Sequence, residues 1–155
     1  MGLSTAIPTI LKKTEVTSTG SQLKFDTDTL KVLLVGPGSG APNTQSNGIQ
    51  WVSDVTATNT ECSGVGYSRQ TLSGVTVAYD ASPSTTVDFS FGNITFSQNA
   101  SGFTNARYAI FYDGTVGTVD TNSPVFAVCD LSQTYGVTGG DLVLSAPAGG
   151  LIQWS

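Results

Sequence analysis

Histidine is absent from this chain, and charge is scarce. Asp, Glu, Lys and Arg together make up 11% of 155 residues, where soluble domains carry about 25%. Without histidine, Ser-His and Cys-His nucleophile systems and most catalytic metal sites are excluded. Two cysteines and no histidine argue equally against structural zinc, and the expectation is a chain without cofactor or metal. The basic residues are six: Lys12, Lys13, Lys24, Lys31, Arg69 and Arg107. They form no cluster that could displace counterions from a phosphate backbone, and the net charge is −5, so direct nucleic-acid binding is not expected. No apolar run approaches the roughly eighteen residues of a membrane helix. Met1-Gly2-Leu3-Ser4-Thr5-Ala6 lacks the basic and apolar regions of a signal peptide. It starts like a myristoylation site, but Ala6 stands where Ser or Thr is needed.

What is present is apolar and small. Hydrophobic residues are 39% of the chain, too many for a disordered segment. With so few charges, the surface must be covered by Ser, Thr, Asn and Gly, as suits a β domain that covers part of its surface in an assembly. The length fits one domain, burying about 70% of its unfolded surface. Cys62 and Cys129 are distant in sequence, and either a disulfide or two buried thiols would suit them.

The stretch 106–131 is the densest. Ala106-Arg107-Tyr108-Ala109-Ile110-Phe111-Tyr112-Asp113 and Val125-Phe126-Ala127-Val128-Cys129-Asp130-Leu131 flank a segment rich in Gly, Asp, Asn and Pro. A central buried hairpin follows. Around it, strands are expected at 23–25, 30–35, 49–55 and 74–79, where Val75, Val77 and Tyr79 alternate with Thr76 and Ala78. The run 86–96 reads as a hairpin or bulged strand, and 141–145 and 151–154 as two last strands. No window holds a 3.6-residue stripe, and at most one helical turn is allowed near 56–62. Residues 1–21, with Pro8 and the apolar residues Leu3, Ile7, Ile10 and Leu11, read as an extended N-terminal arm. The expected architecture is all-β: an antiparallel β-sandwich or jelly roll over 22–155, preceded by the arm.

Two patterns carry a hint of chemistry. Asp26 and Asp28 sit on a turn, and Asp113, Asp120 and Asp130 bracket the central hairpin. A glycosidase pair or a calcium site would use such carboxylates, but Asp is also a preferred turn residue, and the turn role is the stronger reading. Gly36-Pro37-Gly38-Ser39-Gly40-Ala41 follows a strand and fits the glycine pattern of dinucleotide sites. Pro42 and a polar loop follow where that site needs a helix, so it reads as a loop.

Several segments in order resemble a known group. They are Phe25-Asp26-Thr27-Asp28-Thr29-Leu30-Lys31-Val32, Glu61-Cys62-Ser63-Gly64-Val65-Gly66-Tyr67, Leu72-Ser73-Gly74-Val75-Thr76-Val77 and Ala106 to Asp113. Gly-Gly-Asp-Leu-Val-Leu at 139–144 and Gly-Gly-Leu-Ile-Gln-Trp at 149–154 close the series. Over residues 24–155 the chain is similar to small structural proteins encoded near the capsid genes of tailed bacteriophages. The resemblance implies a non-enzymatic virion component, a capsid decoration (cement) protein made in the bacterial host cytoplasm and placed on the capsid exterior. It implies the major capsid protein as partner and a homotrimer around a symmetry axis. Leu3, Ile7, Ile10, Leu11 and Trp154 are the expected contacts with capsid or neighbouring subunit. The alternative is a receptor- or glycan-binding module of a head or tail fibre, with Trp51, Tyr135 and Trp154 stacking on sugars.

Overall fold

The computed structural model describes residues 4–6, 23–42, 48–79, 87–116, 119–148 and 150–154. Among the described residues, the regular structure is nearly all antiparallel strand, in three sheets, none closed into a barrel. The strands are β1 (Ser4–Ala6), β2 (Leu30–Val35), β3 (Gln70–Thr71), β4 (Thr76–Tyr79), β5 (Val87–Ser90), β6 (Ile94–Phe96), β7 (Ala106–Asp113), β8 (Val125–Tyr135), β9 (Leu142–Leu144) and β10 (Ile152–Trp154). Among the described residues there is one short helix, α1 (Val52–Thr56), between β2 and β3.

The central sheet runs β1-β8-β7-β2-β3. Its middle is the β7–β8 pair, so the expected hairpin is the heart of the fold. Both faces of this sheet are covered, which explains why β2 and β7 read as nearly continuous apolar runs instead of alternating ones. On one face, Leu30, Val32, Leu34, Ala109, Phe111 and Cys129 share a core with Phe89, Ile94, Phe96, Leu142, Leu144 and Ile152 of the smaller sheets and with Phe91 between β5 and β6. On the other, Leu33, Val35, Tyr108, Ile110, Tyr112 and Val128 pack with Ile49, Val52 and Val55 at and before α1. The hairpin's four aromatics are all buried, but divided: Phe111 and Phe126 on the first side, Tyr108 and Tyr112 on the second.

A register shift between Phe111 and Tyr112 leaves Phe126 opposite no residue of β7. This bulge lets Phe126 and Ala127 both face the first core. There Phe126 meets Phe25 at 5.2 Å and Phe89 at 5.6 Å between ring centroids, in edge-on geometry favoured by the ring quadrupole.

Four expectations are corrected. The strand expected over 49–55 does not form: Trp51 makes one isolated antiparallel bridge with Pro124, and the chain then turns into α1. Ile49, Val52 and Val55 recur every third residue and turn to one side, and the Asp54 carboxylate accepts the N–H groups of Gln50 and Trp51, each at 2.9 Å, at the helix start. Residues 23–25 form no strand: Leu23 and Phe25 pack on the core and the chain turns at once, with Asp28 N–H donating to the Lys24 carbonyl at 2.8 Å. The run 86–96 is neither a hairpin nor one bulged strand. β5 pairs with β4 and β10, and β6 with β9, and the two separate at Gly92, whose N–H donates to Ser73. Val77 of β4, expected on a half-buried face, is 40% exposed.

Candidate functional site

The proposed contact residues divide between described and undescribed chain. Leu3, Ile7, Ile10 and Leu11 lie outside the described residues. Between them, Ser4–Ala6 runs antiparallel to β8, with Ser4 opposite Asp130 and Ala6 opposite Val128. Trp154 ends β10 opposite Val87, and its side chain is outside the description. β1 covers only three of the eleven residues of β8. The N-terminal segment thus meets the domain at an edge of the central sheet. Val65, Val77, Val119 and Val143 are the exposed large apolar side chains among the described residues.

The aspartates of the sequence reading take separate positions. Asp120 and Glu61 share Arg69: the guanidinium reaches Asp120 Oδ2 at 2.8 Å and Glu61 Oε1 and Oε2 at 2.9 and 2.6 Å. It also stands 5.7 Å over the Tyr112 ring, a cation–π position. The Arg69 bond holds Asp120 below the usual carboxylate range. The Asp120 and Glu61 bonds push Arg69 further up, so its charge is permanent. Burial raises both Tyr112 and Tyr67. This group ties residues 61, 69, 112 and 120 together, and the shifts of Arg69, Tyr112 and Asp120 all run away from neutral pH, where acid–base catalysis would need them. Asp130 pairs with Arg107 at 2.9 Å and takes the N–H of Ser132 at 2.6 Å. That bond steadies Ser132 at a φ of 67°, uncommon for a residue with a side chain. Asp26 is exposed, whereas Asp28 and Asp113 come together at the end of β7. Among the described residues no group of three or more Cys, Asp or Glu is placed to hold a metal.

The glycine loop after β2 is held from below. Asn59, 1% exposed, donates its side-chain amide to the carbonyls of Gly36, Pro37 and Gly40 at 3.0–3.2 Å. Gly38 has φ +50°, and a Cβ there would lie 2.4 Å from the Thr58 carbonyl, so only glycine fits. The loop presents carbonyl oxygens to Asn59, and the N–H groups of Gly36, Ser39 and Gly40 are spent on Thr60, Thr58 and Pro37. A phosphate cradle needs the opposite polarity. Beside the loop an open cleft of about 410 Å³ is lined by Gly40, Ala41, Ile49, Asp54 and Thr58 among others. Among the described residues lining it, the one ionisable group is Asp54, already engaged by two N–H groups.

Cys62 and Cys129 stand as buried thiols, not a disulfide. Burial, with the Glu61 charge adding to it, pushes the Cys62 thiol up to about 12, far from a reactive thiolate. Of the aromatics considered for sugar stacking, Tyr135 packs against the main core and Trp51 is half-buried at the start of α1. Asn59, Arg69 and the meeting of Asp28 with Asp113 escaped the sequence reading. Arg69 alone left a signal, as the sole cation between Lys31 and Arg107. Searches against protein-family profiles, curated proteins and solved structures give no match to this chain.

Proposed function

We propose that this chain is a non-enzymatic structural protein of a virion, a capsid decoration protein that binds the major capsid shell from outside, as a homotrimer. The stacking of the smaller sheets against the central one is read as a β-sandwich. The observation that carries the proposal is where the charges go. Arg69 and Arg107 are engaged by Glu61, Asp120 and Asp130, while Asp28, Asp54 and Asp141 accept backbone N–H groups. The remaining surface is largely Ser, Thr, Asn and Gly, which can be buried against a partner without stripping water from unpaired ions. The N-terminal segment supports the same reading, since it meets the domain at a sheet edge, where a strand can be shared with a neighbour.

The alternative of a glycan-binding module draws less support, because Tyr135 packs against the main core and Trp51 is half-buried. Deletion of residues 1–21 tests the proposal. Binding to shells should be lost while thermal unfolding stays cooperative. A truncated chain that binds shells as well as the full one contradicts the role given to Leu3, Ile7, Ile10 and Leu11.

A further inference from the structure

Among the described residues, one buried side-chain polar atom has no hydrogen-bond partner: Oδ2 of Asp113. Asp113 is fully buried at the last position of β7, on the Phe111 side by alternation. Its other oxygen, Oδ1, accepts the N–H groups of Thr115 at 2.6 Å and Val116 at 3.0 Å. That is the aspartate turn legible in the sequence. It leaves Oδ2 to be explained.

The side chain that meets this carboxyl is Asp28. The backbone fixes that meeting. Leu30 lies opposite Asp113 in the β2–β7 register, Gly114 N–H donates to the Thr29 carbonyl at 2.9 Å, and Thr29 N–H donates to Thr115 Oγ1 at 2.6 Å. Asp28 is in turn held by its own turn, since its Oδ2 accepts Lys24 N–H at 2.6 Å. The surroundings bring no counter-charge. From β2, Lys31 lays its stem beside Gly114 but makes no ion pair with either carboxyl among the described residues. From the segment before β8 comes the Pro124 carbonyl, which accepts Asp113 N–H at 2.9 Å, and then the apolar Val125.

Two carboxylate oxygens cannot hydrogen-bond to each other, and a buried ionised oxygen without a donor is costly. A single proton removes both difficulties. The geometry points to a proton-binding site: Asp113 and Asp28 share one proton, which clasps the turn at residues 24–28 onto the end of β7. In the clasped state Asp113 Oδ2–H donates to Asp28. When the proton leaves to water, two like charges face each other and the turn loosens from the sheet. Burial, and after it the Asp28 charge, hold the Asp113 carboxyl above its ordinary value of 3.8. A raised carboxyl binds its proton in the fold where the unfolded chain has released it. The stability it contributes is therefore fully present below the ordinary value and is lost as pH rises through the folded one. This inference stands apart from the proposed function.

Thermal unfolding of the full chain between about pH 4 and 8 tests it, with Asp113→Asn and Asp28→Asn beside the wild type. In Asp113→Asn the amide oxygen keeps the Thr115 and Val116 bonds, and the amide nitrogen supplies permanently what the proton supplied. The expected results are a wild-type Tm that falls as pH rises across this range and an Asp113→Asn Tm that falls less and is the higher of the two at pH near 8. If Asp113→Asn does not fold, Asp28→Asn carries the test. Its amide donates to an ionised Asp113, so it should also flatten the profile. A variant profile parallel to the wild type at lower Tm throughout would overturn the inference. So would a rise in wild-type Tm at neutral pH on adding calcium, since a cation would then fill the gap.

Discussion

At the scale of single residues, Asn59 has three carbonyl oxygens around its amide and almost no exposure. Alanine there leaves those buried carbonyls short of a donor. Asn59→Ala should cost about 2–3 kcal/mol, read as a lower urea midpoint with an unchanged m-value. Asn59→Asp should cost more, because a carboxylate would face carbonyls. Nothing in Thr58-Asn59-Thr60 announces this role, since a polar residue after a helical turn is ordinary in any sequence. Asp113 was legible by half. Its Oδ1 does what a turn aspartate does, but its Oδ2 depends on Asp28, which no local pattern connects to it.

Among the elements, legibility followed how far the information is local. β2, β7 and β8 were plain because each is an uninterrupted apolar run of strand length, and burial on both sheet faces produces that pattern. α1 was missed because five residues make too short a stripe to oppose the β-branched character of Val52 and Val55. β5 and β6 are legible as strands, but the sequence reads them as one hairpin or one bulged strand. Alternation marks a strand and its faces, whereas its partners, here β4, β10 and β9, are chosen by distant segments. The segment between α1 and β3 is fastened by Arg69, which joins Glu61 to Asp120 near the start of β8. These side chains are a quarter to two-fifths exposed, so solvent screens the pairs. Arg69→Ala should cost about 1–2 kcal/mol through the lost bidentate bonds and the Tyr112 contact. Arg69→Lys should recover only part of this, since an ammonium cannot grip two carboxylates as a planar fork does. Chemical denaturation of both variants in low and high salt checks it, and equal loss at both salt levels would contradict an electrostatic fastening.

The molecule as a whole is a set of antiparallel sheets around a doubly covered centre, with few charges; among the described residues both arginines and most carboxylates hold the fold together. Composition alone made the first half of that legible: abundant Gly, Ser and Thr, no helical stripe, and enough apolar residues for one core. Which surface meets a partner was not legible, because an uncharged polar surface looks alike over every face. The most direct measurement of the proposed function is co-sedimentation of the purified chain with assembled shells of a tailed-bacteriophage major capsid protein. A decoration protein should pellet with the shells, saturate at a fixed number of copies in multiples of three, and raise the temperature at which they disrupt. A chain that stays in the supernatant at every concentration while the shells are intact would contradict the account.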